Sequence, residues 1–470
     1  MFNMLSLTYL SMRADAANRA KISNEAMSMQ NILKMSAADL GQSIAVGRLD
    51  PTEITQAYLD AAQNHSEMGR IYTMLTTERA MSEAGAASLR AKSGQRLSLL
   101  DGVPISWKDL FDTAGYKTEA GSALLLGRLP QKDARCLKNA TAMGLVCLGK
   151  THMSELAFSG LGLNPVTETP PCINDPGAVP GGSSSGAAAS VAFGLAAGAI
   201  GSDTGGSVRI PAAWNDLVGL KTTSGKISLQ GVVPLCEKFD TVGPLAKSVE
   251  DCALLFSALC GEPSIDLKEA SLKGARLAIL RAEVINEVRD APAKAFDQSV
   301  KDLKKAGAHV DEITLECVSE AMGLTGVLFN SEAYGTWKEV IEKNPDVMFD
   351  KILARFRGGI NIPASDYVAA WQSLEKLRQI YQSSTRGYDA ILCPTSPITP
   401  PNAARLLTEE DYYVTENLLS LRNTRVGNLL GQCAITLPTG VPSCGLMMLA
   451  GPYQEKRLLR LAVAAERALG

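Results

Sequence analysis

The chain of 470 residues is 46% hydrophobic and 20% charged, with a net charge of −3, the balance of a globular protein with a large core. Its 46 basic and 49 acidic residues form no basic stripe, which argues against a nucleic-acid partner, and no apolar run approaches the ~18–20 residues of a membrane span. Three histidines and ten cysteines without CxxC spacing argue against a zinc centre and read as buried free thiols in a reducing, cytoplasmic setting.

The first residues, MFNMLSLTYLSM, lack the basic n-region and cleavage site of a signal peptide. Residues 1–35 read as a weakly ordered or helical extension, with Met27, Met29 and Met35 as alternative starts. Ser36 is placed to cap a helix through about Val46, and Asp50-Pro51 to start a second, TEITQAYLDAAQNH. A third helix is expected over TERAMSEAGAASLRAKS, completing a helical N-terminal layer. Gly102 to Trp107 then reads as a short apolar strand with Lys108 at its end, DARCLKNATAMG as a helix and LVCLGK as a strand. Gly186–Ala199 is expected to form a small-residue helix, AIGSD a strand, and GSVRIPAAWN the start of another helix. Further strands are expected at ARLAIL, HVDEITL and YDAILCP, and helices at SVEDCALLFSAL, APAKAFDQSVKDLKKAG and SDYVAAWQSLEKLRQIYQSS. This alternation predicts an α/β fold, a large mixed, mostly parallel sheet with helices on both faces. With no repeat or linker in sight, residues 36–470 are expected to form one domain.

Two glycine-serine turns punctuate this pattern, PGGSSSGAAAS from Pro180 and GSDTGGSVRIPAA from Gly201. The first runs straight into a helix former, so it is not a linker. It lacks the lysine of a phosphate loop. GSSSG matches the GxSxG nucleophile elbow with Ser184 at its centre, but that machine needs a later histidine, and His309 sits in what reads as an ordinary strand. His152 precedes the serines. A base other than histidine is then required. Lysine can serve if burial keeps it neutral, and Lys108 ends the apolar run VPISW. At the second turn, backbone N–H groups around Thr204–Ser207 are placed to converge on an oxyanion, though a plain helix cap would use the same residues.

Taken together, these stretches resemble the amidase signature family of serine hydrolases. The run from Pro180 to about Ser228 reads nearly continuously as the signature. GVPISWKDLFDTAG, KTHMSELAFSGLGLNP, DTVGPLAKSVED, ILCPTSPITPP, RNTRVGNLLGQCAITLPTG and GLMMLAGPYQEKRLL extend the likeness over about residues 36–468, with the signature core at about 100–260. The resemblance implies a Ser–cis-Ser–Lys triad: Ser207 as nucleophile, Ser183 as the bridging serine after a cis bond from Gly182, and Lys108 as base. It implies an oxyanion hole from Thr204, Gly205, Gly206 and Ser207, with Ser184, Asp203 and Arg209 in support. By the same analogy Ala157, Phe158 and Ser159 line the acyl pocket. No metal or cofactor is called for. Two departures, CINDPGAVPGG and AAWND, stand where many relatives carry an Asn-Pro pair and a cysteine-containing run; neither touches the triad.

The resemblance implies hydrolysis of a small-molecule carboxylic amide through an acyl-enzyme, releasing ammonia or an amine. The alternative it carries is the glutaminase-like subunit of an amidotransferase, passing ammonia to a partner. Family members are often homodimers, though no interface is readable here. Substrate choice is expected to lie after about residue 315, where Arg355, Arg357 and Tyr334 are offered as contacts.

Overall fold

A computed structural model describes residues 29–282 and 287–470. The expected extension falls mostly outside them, but its end, Met29–Lys34, is a helix whose Ile32 is buried in the core. The caps read from sequence hold. Ser36 Oγ accepts from Asp39 N–H before Ala37–Ala45, and Asp50 accepts from Thr52 N–H before Pro51–Asn64, with Pro51 in the first turn. Thr77–Lys92 completes the helical layer.

Eleven strands form one sheet. In chain order they are β1 (Tyr72–Leu75), β2 (Pro104–Lys108), β3 (Val146–Thr151), β4 (Gly198–Ser202), β5 (Val218–Lys221), β6 (Val242–Ala246), β7 (Arg276–Arg281), β8 (His309–Thr314), β9 (Ala390–Pro394), β10 (Cys433–Pro438) and β11 (Gly445–Ala450). Across the sheet the order is β1-β3-β2-β4-β6-β5-β10-β11-β9-β7-β8. Helices cover both faces, and the mixed sheet is as expected. The expectation of mostly parallel pairing is corrected: four of the ten pairings are parallel and six antiparallel. The parallel pairings form two blocks, β3-β2-β4 and β9-β7-β8, and these are the βα units visible in the sequence. Between them lie β6, β5, β10 and β11. They run antiparallel, and β10 and β11 are joined by a short hairpin loop in place of a helical crossover.

The small-residue helix is shorter than expected, Ser185–Ala192. Gly194 takes a left-handed φ of 72° just after it, which stops the helix and turns the chain into β4. All ten cysteines are free, and nine of them are buried, in accord with the sequence reading. Among the described residues no helix is long and apolar enough to cross a membrane.

Close approach decides which glycines the fold tolerates losing. A Cβ on Gly243 of β6 would stand 1.9 Å from the carbonyl oxygen of Leu220, whereas one on Gly85, in the Thr77–Lys92 helix, meets open space. Gly243→Ala is therefore expected to destabilise the fold by about 3 kcal/mol or more. Gly85→Ala is expected to stabilise it by about 0.5–1 kcal/mol. Urea midpoints followed by circular dichroism check both directions.

Candidate active site

β2 and β4 are adjacent and parallel, so their carboxyl ends lie side by side. β2 ends at Lys108 and β4 at Ser202. Lys108 Nζ donates to Ser183 Oγ at 2.7 Å and to Ser202 Oγ at 2.8 Å. Lys108 and Ser183 are both wholly buried. The bond between Gly182 and Ser183 is cis. Sequence reasoning misses Ser202, which reads there only as the end of a strand.

Two other buried lysines show what distinguishes Lys108. Lys150 pairs with Asp109 at 2.9 Å, and Lys221 Nζ donates to the carbonyls of Thr222 and Gln432. The carboxylate beside Lys150 favours an ammonium there, and the carbonyls beside Lys221 can only accept. Hydroxyls also donate, so the partners of Lys108 suit a neutral amine as well. Burial pushes Lys108 down to about 7, while the carboxylates of Asp240 and Asp203 pull the other way.

The second turn is built around Asp203. Its carboxylate accepts from Gly206 N–H at 2.8 Å and Val208 N–H at 3.2 Å. Arg209 meets it with a two-pronged contact, Nε at 3.0 Å and Nη2 at 2.9 Å. Arg209 also reaches the Thr424 carbonyl and Asn428 Oδ1, and Asn428 Nδ2 returns to Asp203. Burial alone would raise Asp203; the adjoining guanidinium outweighs it and brings the carboxyl down to about 2. Thr204 Oγ1 donates to Asp240, which also accepts from Leu235 N–H.

Gly206 permits the tightest contact of the turn. Its φ is 141°, and a Cβ there would stand 2.1 Å from Thr424 Oγ1. The expectation that its amide joins the oxyanion donors is revised, because that N–H is engaged by Asp203. Among the described residues the N–H groups of Thr204, Gly205 and Ser207 have no protein acceptor.

The two turns are stitched together. Ser184 N–H donates to the Ser207 carbonyl at 3.2 Å, and Ser184 Oγ donates to the Ser202 carbonyl. Ser184 is thus wholly buried and spent on structure, which answers the elbow reading. His309 lies exposed on β8, an edge strand of the sheet.

Ser207, Thr204 and Gly205 open onto a solvent-connected cavity with about 390 Å³ of empty space, part of it open solvent. Ala157, Phe158 and Ser159 line it. The rest of the wall comes from Leu235, from Thr325, Phe329 and Asn330 of the helix Thr325–Ile341, from Arg355, and from Leu421 and Arg425 of the helix Glu410–Leu429. Of the three contacts expected after residue 315, only Arg355 reaches the cavity. Arg357 pairs with Glu342 at 2.7 Å, and the Tyr334 hydroxyl donates to the same Glu342. Arg425 is a further wall residue that sequence reasoning misses; nothing in RNTRVGN marks it.

The clamp on the second turn yields a prediction. Asp203→Asn leaves Arg209 buried opposite a neutral group and is expected to cost about 3–5 kcal/mol. A thermal midpoint unchanged from wild type would contradict it.

The sequence matches the family model described as Amidase over residues 53–459. It is 33% identical over 451 residues to a 2-amino-5-chloromuconic acid deaminase of Comamonas testosteroni, covering 93% of this chain and 97% of that protein. One component of the glutamyl-tRNA(Gln) amidotransferase of Alkaliphilus metalliredigens is 28% identical over 481 residues, again 93% of this chain and 97% of the other. A solved structure described as an amidase is similar with a TM-score of 0.83 at 29% identity, covering 93% of this chain and 100% of that one. The match runs through β2 with its lysine, both serine turns and the cavity they face, and the chain belongs to the amidase family, whose members hydrolyse amide C–N bonds.

Proposed function

We propose that the chain hydrolyses a small linear amide with Ser207 as nucleophile, Ser183 as proton bridge and Lys108 as base. The observation that carries this reading is the 2.7 Å contact between wholly buried Lys108 and Ser183, next to the turn that presents Ser207 to the cavity. In the neutral amine the Nζ lone pair accepts the Ser183 proton while Ser183 takes that of Ser207. Ser207 Oγ attacks the carbonyl carbon. The charge that develops on oxygen meets the N–H groups of Thr204, Gly205 and Ser207, which cost no reorganisation because the turn is already clamped. The ammonium of Lys108 then returns the proton through Ser183 to the leaving nitrogen, and the C–N bond breaks. Water attacks the acyl ester by the same relay, releasing the acid and restoring Ser207.

A second reading, the glutaminase-like subunit of an amidotransferase, is favoured by the relatives that carry that enzyme's name. Turnover of an amide by the purified chain alone speaks for the stand-alone hydrolase. Stoichiometric copurification with a second protein, and activity only in its presence, speaks for the amidotransferase.

A fluorophosphonate probe tests the assignment directly. Label is expected on Ser207, absent in Ser207→Ala and slowed by about 10²–10⁴-fold in Lys108→Ala. Label on Ser184 that persists in Lys108→Ala would overturn it. The base must be unprotonated, so kcat/KM is expected to rise with pH and level off above about 7, where Lys108 becomes neutral. A profile that falls across this window would contradict lysine as the base.

A further inference from the structure

Arg425 and Arg355 face the same cavity as Ser207, and among the described residues neither is paired with a carboxylate. Arg425 is only 8% exposed, yet among the described residues its side chain makes no hydrogen bond or ion pair. Arg355 Nη1 is buried without a partner, and its guanidinium carbon lies 4.3 Å from the centre of the Phe158 ring. Stacking on that face leaves the edge of the fork free. The cavity lining contains no acidic residue. Arg209 shows how this fold treats an arginine kept for structure, with one carboxylate, one carbonyl and one amide oxygen around it. Arg425 has none of these. Burial pushes it down from the usual arginine range, and the adjacent Arg355 cation pushes the same way. Two like charges held together, one buried and one half-buried, without a counter-ion among the described residues, are costly unless a ligand supplies one.

We propose that Arg355 and Arg425 form an anion subsite that receives a carboxylate of the substrate, so that the amide hydrolysed is the monoamide of a short dicarboxylic acid. This rests on Ser207 as the nucleophile. A planar carboxylate matches the guanidinium fork with two parallel hydrogen bonds. Leu235, Phe329 and Leu421, also in the wall, suit a short aliphatic spacer. The stem of Arg425 packs by the oxyanion turn: a Cβ on Gly205 would lie 3.6 Å from its Cγ and 4.0 Å from its Nε. The amide end then meets Ser207 while the acid end meets the arginines. Hydrolysis adds water across the C–N bond and yields the dicarboxylate and ammonia.

The test uses the full chain with Arg425→Gln, Arg355→Gln and Arg425→Lys. Succinate and glutarate are added as competitors of fluorophosphonate labelling at fixed ionic strength, beside butanamide and inorganic phosphate. Dicarboxylates are expected to protect Ser207 in the wild type, with the protecting concentration rising about 10-fold or more in either glutamine variant and partly restored in Arg425→Lys. The ratio of kcat/KM for succinamate over butanamide is expected to fall about 30-fold in Arg425→Gln. Thermal midpoints separate this role from a structural one. Arg425→Gln should melt no lower than wild type, and glutarate should raise the midpoint of wild type alone. Equal protection in all variants, a wild-type preference for butanamide, or phosphate protecting as well as succinate would overturn the carboxylate subsite. If Ser207 takes no label, the nucleophile reading falls, and glutarate titrations by calorimetry on the same proteins decide the subsite alone: binding that is lost in Arg425→Gln upholds it, and its absence in wild type ends it.

Discussion

The buried pairing of Asp203 with Arg209 is the contact on which the site depends. One carboxylate holds the backbone of its own turn through Gly206 and Val208 and receives the guanidinium that begins the next helix. The same guanidinium crosses to Thr424 and Asn428, more than 200 residues on. Neither side chain is exposed. Such a pair adds little to net stability compared with an apolar replacement, and its value lies in geometry: half of it alone would be an uncompensated charge. The arrangement fixes the direction of the N–H groups at Thr204, Gly205 and Ser207 and leaves them unspent.

A second electrostatic balance sits beside the first. Lys108 is buried among hydroxyls, with Asp240 and Asp203 near enough to oppose part of the cost of its charge. Those carboxylates offset part of the burial that lowers the amine, whereas a carboxylate in direct contact would favour the charged form. The sheet sets this distance. Lys108 and Ser202 come from the ends of neighbouring parallel strands, so their separation follows from strand spacing and is insulated from loop motion.

What can be read in the chain and what cannot divide along physical lines. Helices with one wet face, such as Pro51–Asn64 and Asp290–Lys305, announce themselves by apolar spacing, the first also by its Asp50 cap. So do the βα units around β2, β3, β7 and β8, and the two glycine-serine turns. The strands β5, β6, β10 and β11 escape because they are short and buried on both faces, and show no alternation. Leaving them out tilts the expected balance of the sheet toward parallel pairing. The helix Glu410–Leu429 is equally hard to see. Buried polar residues on it, Asn417, Asn423, Thr424 and Asn428 among them, interrupt any apolar stripe, because this helix faces the site as well as the core. Arg425 is illegible for the same reason: an arginine in sequence carries no sign of whether a carboxylate will meet it.

The dependence of the second turn on that late helix has a consequence for how the molecule comes into being. Asn428 lies 225 positions beyond Asp203, and Thr424, whose hydroxyl donates to the Gly205 carbonyl, comes from the same helix. A chain still emerging from the ribosome can complete β2, β4 and both serine turns while lacking the contacts that aim them. Closing so long a loop is among the last entropic costs met in assembly. The geometry of the second turn is therefore a property of the finished polypeptide, and an incomplete one carries its serines without the contacts that aim them.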